Sequence, residues 1–87
     1  MIYKVFFQPS ALRELRKLPR DVQVRVVARA EALAKNPRPE GVKKLAGLEE
    51  LYRLRVGDYR VIYQIQDQRL VVLVVRIRHR RDVYRKG

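Results

Sequence analysis

The sequence of 87 residues contains no cysteine and only one histidine. The missing thiols exclude a disulfide framework, a thiol nucleophile and any zinc or iron–sulfur site that depends on cysteine. A single histidine also excludes metal sites that are built from several imidazoles. No apolar run approaches the roughly 18 residues of a membrane span, and the N-terminus lacks the pattern of a secretory signal. These absences favour a cytoplasmic protein without a metal or another cofactor.

Acidic residues are scarce as well. Nine Asp and Glu stand against 21 Lys and Arg, which gives a net charge of +12, and 15 of the cations are arginines. Arginine binds phosphate through paired N–H groups and stacks on nucleobases, so this balance indicates a polyanionic partner. A hydrophobic content of 47% is too high for intrinsic disorder. A chain of this length forms one domain, which we assign to residues 1–87.

The residue pattern predicts an α+β fold with the order β-α-α-β-β-β. A β-branched and aromatic run at residues 2–7 predicts the first strand. Pro9, with Ser10 as a cap, begins a helix that Pro19 ends, and a second helix follows. The two helices are expected to form an antiparallel hairpin on one face of a small, mainly antiparallel sheet. Their apolar positions recur at helical spacing, at Ala11, Leu12, Leu15 and Leu18 and then at Val22, Val26, Ala30 and Leu33.

Three further strands are predicted at residues 51–56, 59–65 and 70–77. Gly57 and Asp58 form a two-residue turn between the first two of them, which places Arg55 opposite Arg60. A second turn at residues 67–68 pairs Arg60 with Val75. The last strand is apolar on both faces and is therefore expected inside the sheet, while the pairing of the first strand stays open.

Three arginines then share one face of the predicted sheet, namely Arg53, Arg55 and Arg60. Like charges directly opposite each other destabilise a sheet by a few tenths to about 1 kcal/mol, so an anion is expected between them. In the alternative interpretation these side chains extend into water or pair with Glu49 and Glu50.

Three segments carry a more specific pattern. They are Lys-Leu-Ala-Gly at residues 44–47, Leu-Tyr-Arg-Leu-Arg-Val-Gly-Asp-Tyr-Arg-Val-Ile-Tyr at residues 51–63, and His-Arg-Arg-Asp-Val-Tyr at residues 79–84. Together with the length, charge and element order, these segments resemble the RelE branch of the RelE/ParE toxin superfamily. The resemblance implies a RelE-like fold and the toxin of a type II toxin–antitoxin pair. It further implies an endoribonuclease that cuts mRNA in the ribosomal A site and so inhibits translation.

The resemblance implies cleavage without a metal, in which the ribose 2′-hydroxyl attacks the adjacent phosphate. The resemblance implies catalytic roles for Arg53, Arg55, Arg60, Arg80 and Tyr84, and RNA contacts from Lys43, Lys44, Arg78, His79 and Arg81. The best-known members carry lysine at the first two of these positions, and arginine cannot act as a base. The general base is therefore His79, Tyr84 or absent, and cleavage is expected to depend mainly on charge stabilisation. Alternatively, His79 is merely solvated in a basic tail and Tyr84 is an apolar anchor.

Two other functions stay open at this point. In the first, the chain belongs to the ParE branch, whose members inhibit DNA gyrase without cutting RNA. In the second, it is an inactive member or a plain basic RNA-binding domain. The C-terminal His-Arg-Arg-Asp-Val-Tyr segment favours the nuclease. The resemblance also implies a small acidic antitoxin, similar to RelB, as a partner beside the ribosome and mRNA.

Overall fold

The computed structural model of the chain describes residues 2–45 and 50–83. The predicted α+β order is confirmed, with two short elements, β2 and α3, in addition. The elements are β1 (Lys4–Phe7), α1 (Pro9–Arg16), α2 (Arg20–Ala32), β2 (Lys43–Lys44), β3 (Leu51–Val56), β4 (Tyr59–Gln66), β5 (Val71–His79) and α3 (Arg80–Val83). Ala46, Gly47, Glu49 and Tyr84, which the sequence analysis singled out, lie outside the described residues.

The start of α1 differs from the prediction. Its N-cap residue is Gln8, which makes no side-chain cap, and Pro9 occupies the first turn as expected. Ser10 lies inside the helix, and its hydroxyl donates to the carbonyl of Val75 at 3.3 Å. The prediction that Ser10 caps the helix is therefore wrong. Leu12, expected in the core, is 36% exposed.

Both helices cover one face of the sheet. The apolar face predicted for α2 is confirmed, because all four of its members are buried, and alternate residues of three strands complete the same core. The core consists of Ala11, Leu15, Val22, Val26, Ala30, Leu33, Tyr52, Leu54, Val56, Val61, Tyr63, Ile65, Val72, Val74 and Ile77. The opposite face of the sheet therefore stays uncovered by α1 and α2, and we call it the open face.

The five described strands form one mixed sheet in the order β1-β5-β4-β3-β2. The interior position of β5 is confirmed, and β1 pairs with it in parallel. The register of the β3–β4 hairpin is also confirmed, with Arg55 opposite Arg60. Gly57 has a φ of 59° in the intervening turn, a conformation that two-residue hairpin turns require and glycine adopts without strain.

The predicted pairing of Arg60 with Val75 is wrong, since Arg60 lies opposite Arg78. The turn between β4 and β5 spans four residues, 67–70, rather than two. A bulge then adds one more position, because Tyr63 pairs with Val74 while Ile62 pairs with Arg76, which leaves Val75 as an extra residue. The two additional turn residues and the bulge residue together shift the partner of Arg60 by three positions, from Val75 to Arg78.

Among the described residues, no helix is long and apolar enough to cross a membrane.

Candidate functional site

A row of three arginines crosses the open face. Arg55 of β3 lies opposite Arg60 of β4, which in turn lies opposite Arg78 of β5. Neighbouring strands are about 4.8 Å apart, so three cationic side chains leave the sheet side by side. Such a row favours the binding of an anion, because like charges in cross-strand positions repel one another.

A second row runs parallel to the first, two residues away along the strands. Lys43 of β2 lies opposite Arg53 of β3, which pairs with Ile62 of β4, and Ile62 pairs with Arg76 of β5. Two residues of strand correspond to roughly 6.6 Å, so the rows are close to one another. Together the two rows give the open face six cationic side chains on the side of the sheet away from the helices.

The bulge determines which side chains of β5 join these rows. Val72 and Val74 are buried under the helices, so unbroken alternation would bury Arg76 and expose Ile77. The extra residue of the bulge reverses the faces of the residues that follow it. Ile77 is therefore buried, at 4% exposed, whereas Arg76 lies on the surface. Both arginines of the β5 end therefore face the same way as Arg60.

Two adjoining clefts lie on this surface, and we call them together the arginine cleft. The first has a volume of about 170 Å³ and is lined by Arg55, Gly57, Asp58, Tyr59, Arg60 and Arg80. The second, of about 350 Å³, is lined by Gly41, Lys43, Arg53, Arg55 and Arg60. Since Arg55 and Arg60 line both, the clefts form one continuous cationic depression.

The β3–β4 turn positions Arg80 at the end of this depression. The backbone N–H of Arg80 donates to the carbonyl of Asp58 at 2.7 Å, and its guanidinium lies 3.9 Å from the Asp58 carboxylate. On the same turn, the Nε of Arg55 donates to the carbonyl of Gly57 at 3.2 Å. Asp58 is the one acidic side chain among the described residues that line the two clefts. The arginine cleft is thus strongly cationic, and the chain that follows β5 closes one side of it.

The structure brings together five of the residues that the sequence analysis singled out: Lys43, Arg53, Arg55, Arg60 and Arg80. Arg78 lies beside them in the first row. Arg76 and Glu14 were not predicted as site residues from the sequence. The carboxylate of Glu14 lies 3.5 Å from Arg76 and 3.8 Å from Arg78. The change from a continuous apolar run to Arg-Ile-Arg within β5 was a signal for the bulge, and thereby for Arg76.

His79 borders the arginine cleft without lining it, because its partner Tyr59 lines the first of the two clefts. It pairs with Tyr59, whose side chain packs against the core, and the two rings meet edge to face at 5.1 Å. Its Nδ1 accepts the backbone N–H of Arg81 at 3.1 Å, so the neutral ring carries its proton on Nε2. His79 is thus on the helix side of the sheet, and neither it nor the exposed Arg81 is among the residues that line the two clefts.

Lys44 also points elsewhere, because it belongs to a polar cluster around Arg38. Its ammonium lies 3.2 Å from Glu50, which accepts a hydrogen bond from Tyr52 at 2.8 Å. The described contacts of Glu50 are thus with Lys44, Tyr52 and Arg38, while Glu49 lies outside the described residues. Arg38 binds both oxygens of Asp67, at 3.2 and 2.8 Å, and donates to Tyr52 at 2.9 Å.

This cluster fastens the loop between α2 and β2 to the sheet. The hydrogen bond from Tyr52, with those from the neighbouring cations, holds the pKa of Glu50 below its usual value. The bond from Arg38, followed by that from Tyr3, likewise lowers the pKa of Asp67. The cluster consists of satisfied ion pairs, and we assign it a structural role.

The fold and the cleft define a class of small basic α+β proteins with a cationic surface on the open face of the sheet. A family model described as the ParE toxin of the type II toxin–antitoxin system parDE matches residues 5–84. The chain therefore belongs to the RelE/ParE toxin superfamily, and the resemblance predicted from the sequence is confirmed.

The curated proteins that are similar to this chain include toxins named RelG and RelE. Toxin RelG of Mycobacterium tuberculosis is 36% identical over 99% of this chain and 100% of its own length. The mRNA interferase toxin RelE of Escherichia coli K12 is 35% identical over 97% of this chain and 92% of its own length.

Solved structures that are similar to this chain also contain RelE toxins. The RelE–RelB complex of Pyrococcus horikoshii contains a chain with 32% identity and a TM-score of 0.83, over 92% of this chain and 97% of that chain. The intact E. coli RelBE complex contains a chain with 30% identity and a TM-score of 0.78, over 88% of this chain and 95% of that chain. This chain is accordingly a RelE-like toxin.

Proposed function

We propose that this toxin is a ribosome-dependent endoribonuclease that cuts mRNA in the A site by metal-free attack of the ribose 2′-hydroxyl. The observation that carries the proposal is the arginine cleft, in which Arg55, Arg60 and Arg80 line one depression of about 170 Å³. Relatives named mRNA interferase over nearly the full length support the same reaction class.

The reaction forms a bond between the 2′-oxygen and phosphorus and breaks the bond from phosphorus to the 5′-oxygen. A 2′,3′-cyclic phosphate and a free 5′-hydroxyl result, and no water is consumed. Negative charge accumulates on the phosphorane oxygens in between, where fixed cations lower the barrier most effectively. Arginine stays protonated at any physiological pH, so Arg55, Arg60 and Arg80 supply this charge at all times.

Among the described residues that line the cleft, Asp58 has the one carboxylate that could accept the proton of the 2′-hydroxyl, and this carboxylate already lies 3.9 Å from Arg80. The position of His79 on the helix side of the sheet disfavours it as the base. We propose that charge stabilisation dominates the rate and that solvent takes the proton of the 2′-hydroxyl and returns one to the leaving 5′-oxygen. Tyr84 is the remaining side-chain candidate for the base. Tyr84 lies outside the described residues, so its assignment rests on the family resemblance alone.

The decisive experiment is single-turnover cleavage of mRNA on programmed ribosomes. Removing one well-placed charge donor typically costs about 10²–10³ in rate, and we expect a loss of that order for Arg60→Ala and for Arg80→Ala. Arg29→Ala is the matched control, since Arg29 is an exposed arginine on α2 and lines neither cleft. Wild-type rates in both cleft variants would refute the proposed role of the cleft.

The chemistry is tested on the substrate. A 2′-deoxynucleotide at the cleavage position should abolish cutting, because the nucleophile is missing, and the products of normal cleavage should carry a cyclic phosphate. A phosphorothioate at the same position should show no rescue by Mn²⁺ if no metal contacts the phosphate. Cleavage of the deoxy substrate, or manganese rescue, would contradict the mechanism.

A second candidate function follows from the family model, which is described as ParE. A toxin of that branch would inhibit DNA gyrase, and the cationic surface would then contact a protein or DNA. A supercoiling assay with purified gyrase, run beside the ribosome assay, separates the two functions. Inhibition of supercoiling without any mRNA cleavage would establish the ParE alternative, and salt-sensitive RNA binding without either activity would indicate an inactive RNA-binding domain.

We further propose a small acidic antitoxin, similar to RelB, as the partner. Several neighbouring structures are RelE–RelB complexes, and a net charge of +12 favours association with an acidic chain. Ribosomes and mRNA place the proposed activity in the cytoplasm.

A further inference from the structure

The free edge of β5 is covered by α1. The parallel pairing with β1 ends at Val74, so beyond it none of the described strands lies beside β5 on that side. Residues at the beginning of α1 provide hydrogen bonds to this edge instead. The N–H of Gln8 donates to the carbonyl of Val74 at 2.8 Å, and the hydroxyl of Ser10 donates to the carbonyl of Val75. The carboxylate of Glu14 then accepts the backbone N–H of Ile77 at 2.8 Å. The bulged segment is therefore held from the side by α1.

The second oxygen of Glu14 lies between two arginines of the open face. It is 3.5 Å from Nη1 of Arg76 and 3.8 Å from Nε of Arg78. The Glu14 side chain is 23% exposed, whereas those of Arg76 and Arg78 are 49% and 41% exposed, so the acid is better shielded than its partners. Glu14 thus approaches the guanidinium of Arg78 from its Nε side.

We propose that Glu14 is a positioning residue of the arginine cleft, which fixes the bulge and holds Arg78 beside Arg60 as a further phosphate-binding cation. This inference rests on the proposed function. Glu14 performs both tasks with one carboxylate: one oxygen fixes the backbone that directs Arg78 onto the open face, and the other orients its guanidinium. A nearby negative charge also reduces the repulsion within the arginine row while no RNA is bound.

A double-mutant cycle tests the coupling. Glu14→Ala, Arg78→Ala and the double variant are compared in single-turnover cleavage on programmed ribosomes. Arg78 lies at the end of the row and is partly exposed, so we expect its removal to slow cleavage about tenfold, less than the loss of a central donor. Glu14→Ala should slow the wild-type toxin about fivefold, but less than about twofold in the Arg78→Ala background, because residues in contact act non-additively.

Two variants separate positioning from folding. Glu14→Gln keeps an oxygen that accepts from the N–H of Ile77 but loses the charge, and its rate should fall between those of wild type and Glu14→Ala. Glu31→Ala removes an exposed acid from α2 and should leave cleavage unchanged. Unfolding is measured for every variant, since a purely structural role for Glu14 predicts an equal rate loss in both backgrounds once the folded fraction is corrected.

Equal losses with and without Arg78, or a wild-type rate for Arg78→Ala, would overturn this inference while leaving the proposed nuclease intact. If wild type itself does not cleave, the nuclease proposal fails by that result alone. The same cycle is then measured as the affinity of the toxin for a short RNA with 2′-deoxy substitutions, where coupling between Glu14 and Arg78 would still support the inference. Additive affinity losses, or no detectable binding at low salt, would overturn it.

Discussion

Deletion of a single residue from an interior strand normally reverses the faces of every residue beyond it, but we predict that β5 tolerates deletion of Val75. Val75 is the extra residue of the bulge, so its removal converts β5 into a regular strand. Arg76 then follows Val74 directly and stays opposite Ile62, Ile77 stays in the core, and the cationic rows are preserved. The deletion should therefore restore regular pairing.

The expected cost follows from the contacts that Val75 makes. Its side chain is only half-buried, and its carbonyl accepts one long hydrogen bond, 3.3 Å from Ser10. Losing one hydrogen bond of this kind costs about 0.5–1.5 kcal/mol, and losing the partial burial adds about 1 kcal/mol. A total of about 1–3 kcal/mol is smaller than the roughly 5–15 kcal/mol that stabilises a typical domain, so the variant should stay folded.

Deletion of Ile62 is the matched control, because Ile62 is a half-buried apolar residue in the neighbouring strand without a bulge of its own. Without it, either Arg60 or Gln64 must turn into the core, and Val61 or Tyr63 must leave it. An unpaired buried arginine alone costs several kcal/mol, so this variant should not fold. Urea unfolding of both variants, followed by circular dichroism, decides the matter. If the Val75 deletion unfolds as readily as the Ile62 deletion, our account of the bulge is wrong.

Two further predictions concern the polar contacts that hold the loop around Arg38. Tyr63→Phe removes the hydrogen bond to the carbonyl of Pro37, 2.7 Å away in a buried site, and should lower the free energy of unfolding by about 1–2 kcal/mol in urea titrations; an unchanged value would contradict the importance of this bond. The folded-state pKa values of Asp67 and Glu50 are lowered, so their stabilising effect is present above about pH 4 and is lost as the pH falls further. Acid titration of stability should show this loss in wild type and a smaller one in Arg38→Gln, and identical curves would refute the assignment.

The pKa of Tyr63 is shifted upward, in contrast to those of Asp67 and Glu50, so its contribution to stability is lost at high rather than at low pH. Burial raises the pKa of Tyr63 to about 12, above the value of about 10 in an unfolded chain. Its contribution to stability is accordingly complete below pH 10 and declines as the pH rises toward 12. The same buried phenol that fastens Pro37 thus resists ionisation, because a charged oxygen in the core would lack compensation.

The sequence was sufficient for the β3–β4 hairpin because the signals there are local. A glycine in a two-residue turn and strict alternation on both sides leave one register, which places Arg55 opposite Arg60. The buried face of α2 is predicted for the same reason, since its spacing is a property of the helix alone, whereas on α1 only Ala11 and Leu15 of the four predicted positions are fully buried. Part of the arginine cleft therefore follows from short-range patterns.

The β4–β5 pairing was not predictable in this way because tertiary contacts decide it. Asp67, expected in a two-residue turn, instead binds Arg38 and Tyr3, and the longer turn places Leu70 at a φ of 54°, which non-glycine residues rarely adopt. The two lysines of β2 lack an apolar pattern, so nothing in the sequence distinguished Lys43, which lines the cleft, from Lys44, which does not.

The bulge also explains why Arg78 and His79, both predicted to contact RNA, lie on opposite faces of the sheet. It places Arg78 on the open face, and by alternation His79 then lies on the helix side beside Tyr59. The chain crosses back at Arg80, whose backbone N–H is bound by the β3–β4 turn. One inserted residue therefore selects arginines for the cleft and removes the single histidine from it. This arrangement favours a nuclease that works by fixed positive charge, with a rate that depends on where guanidinium groups are held.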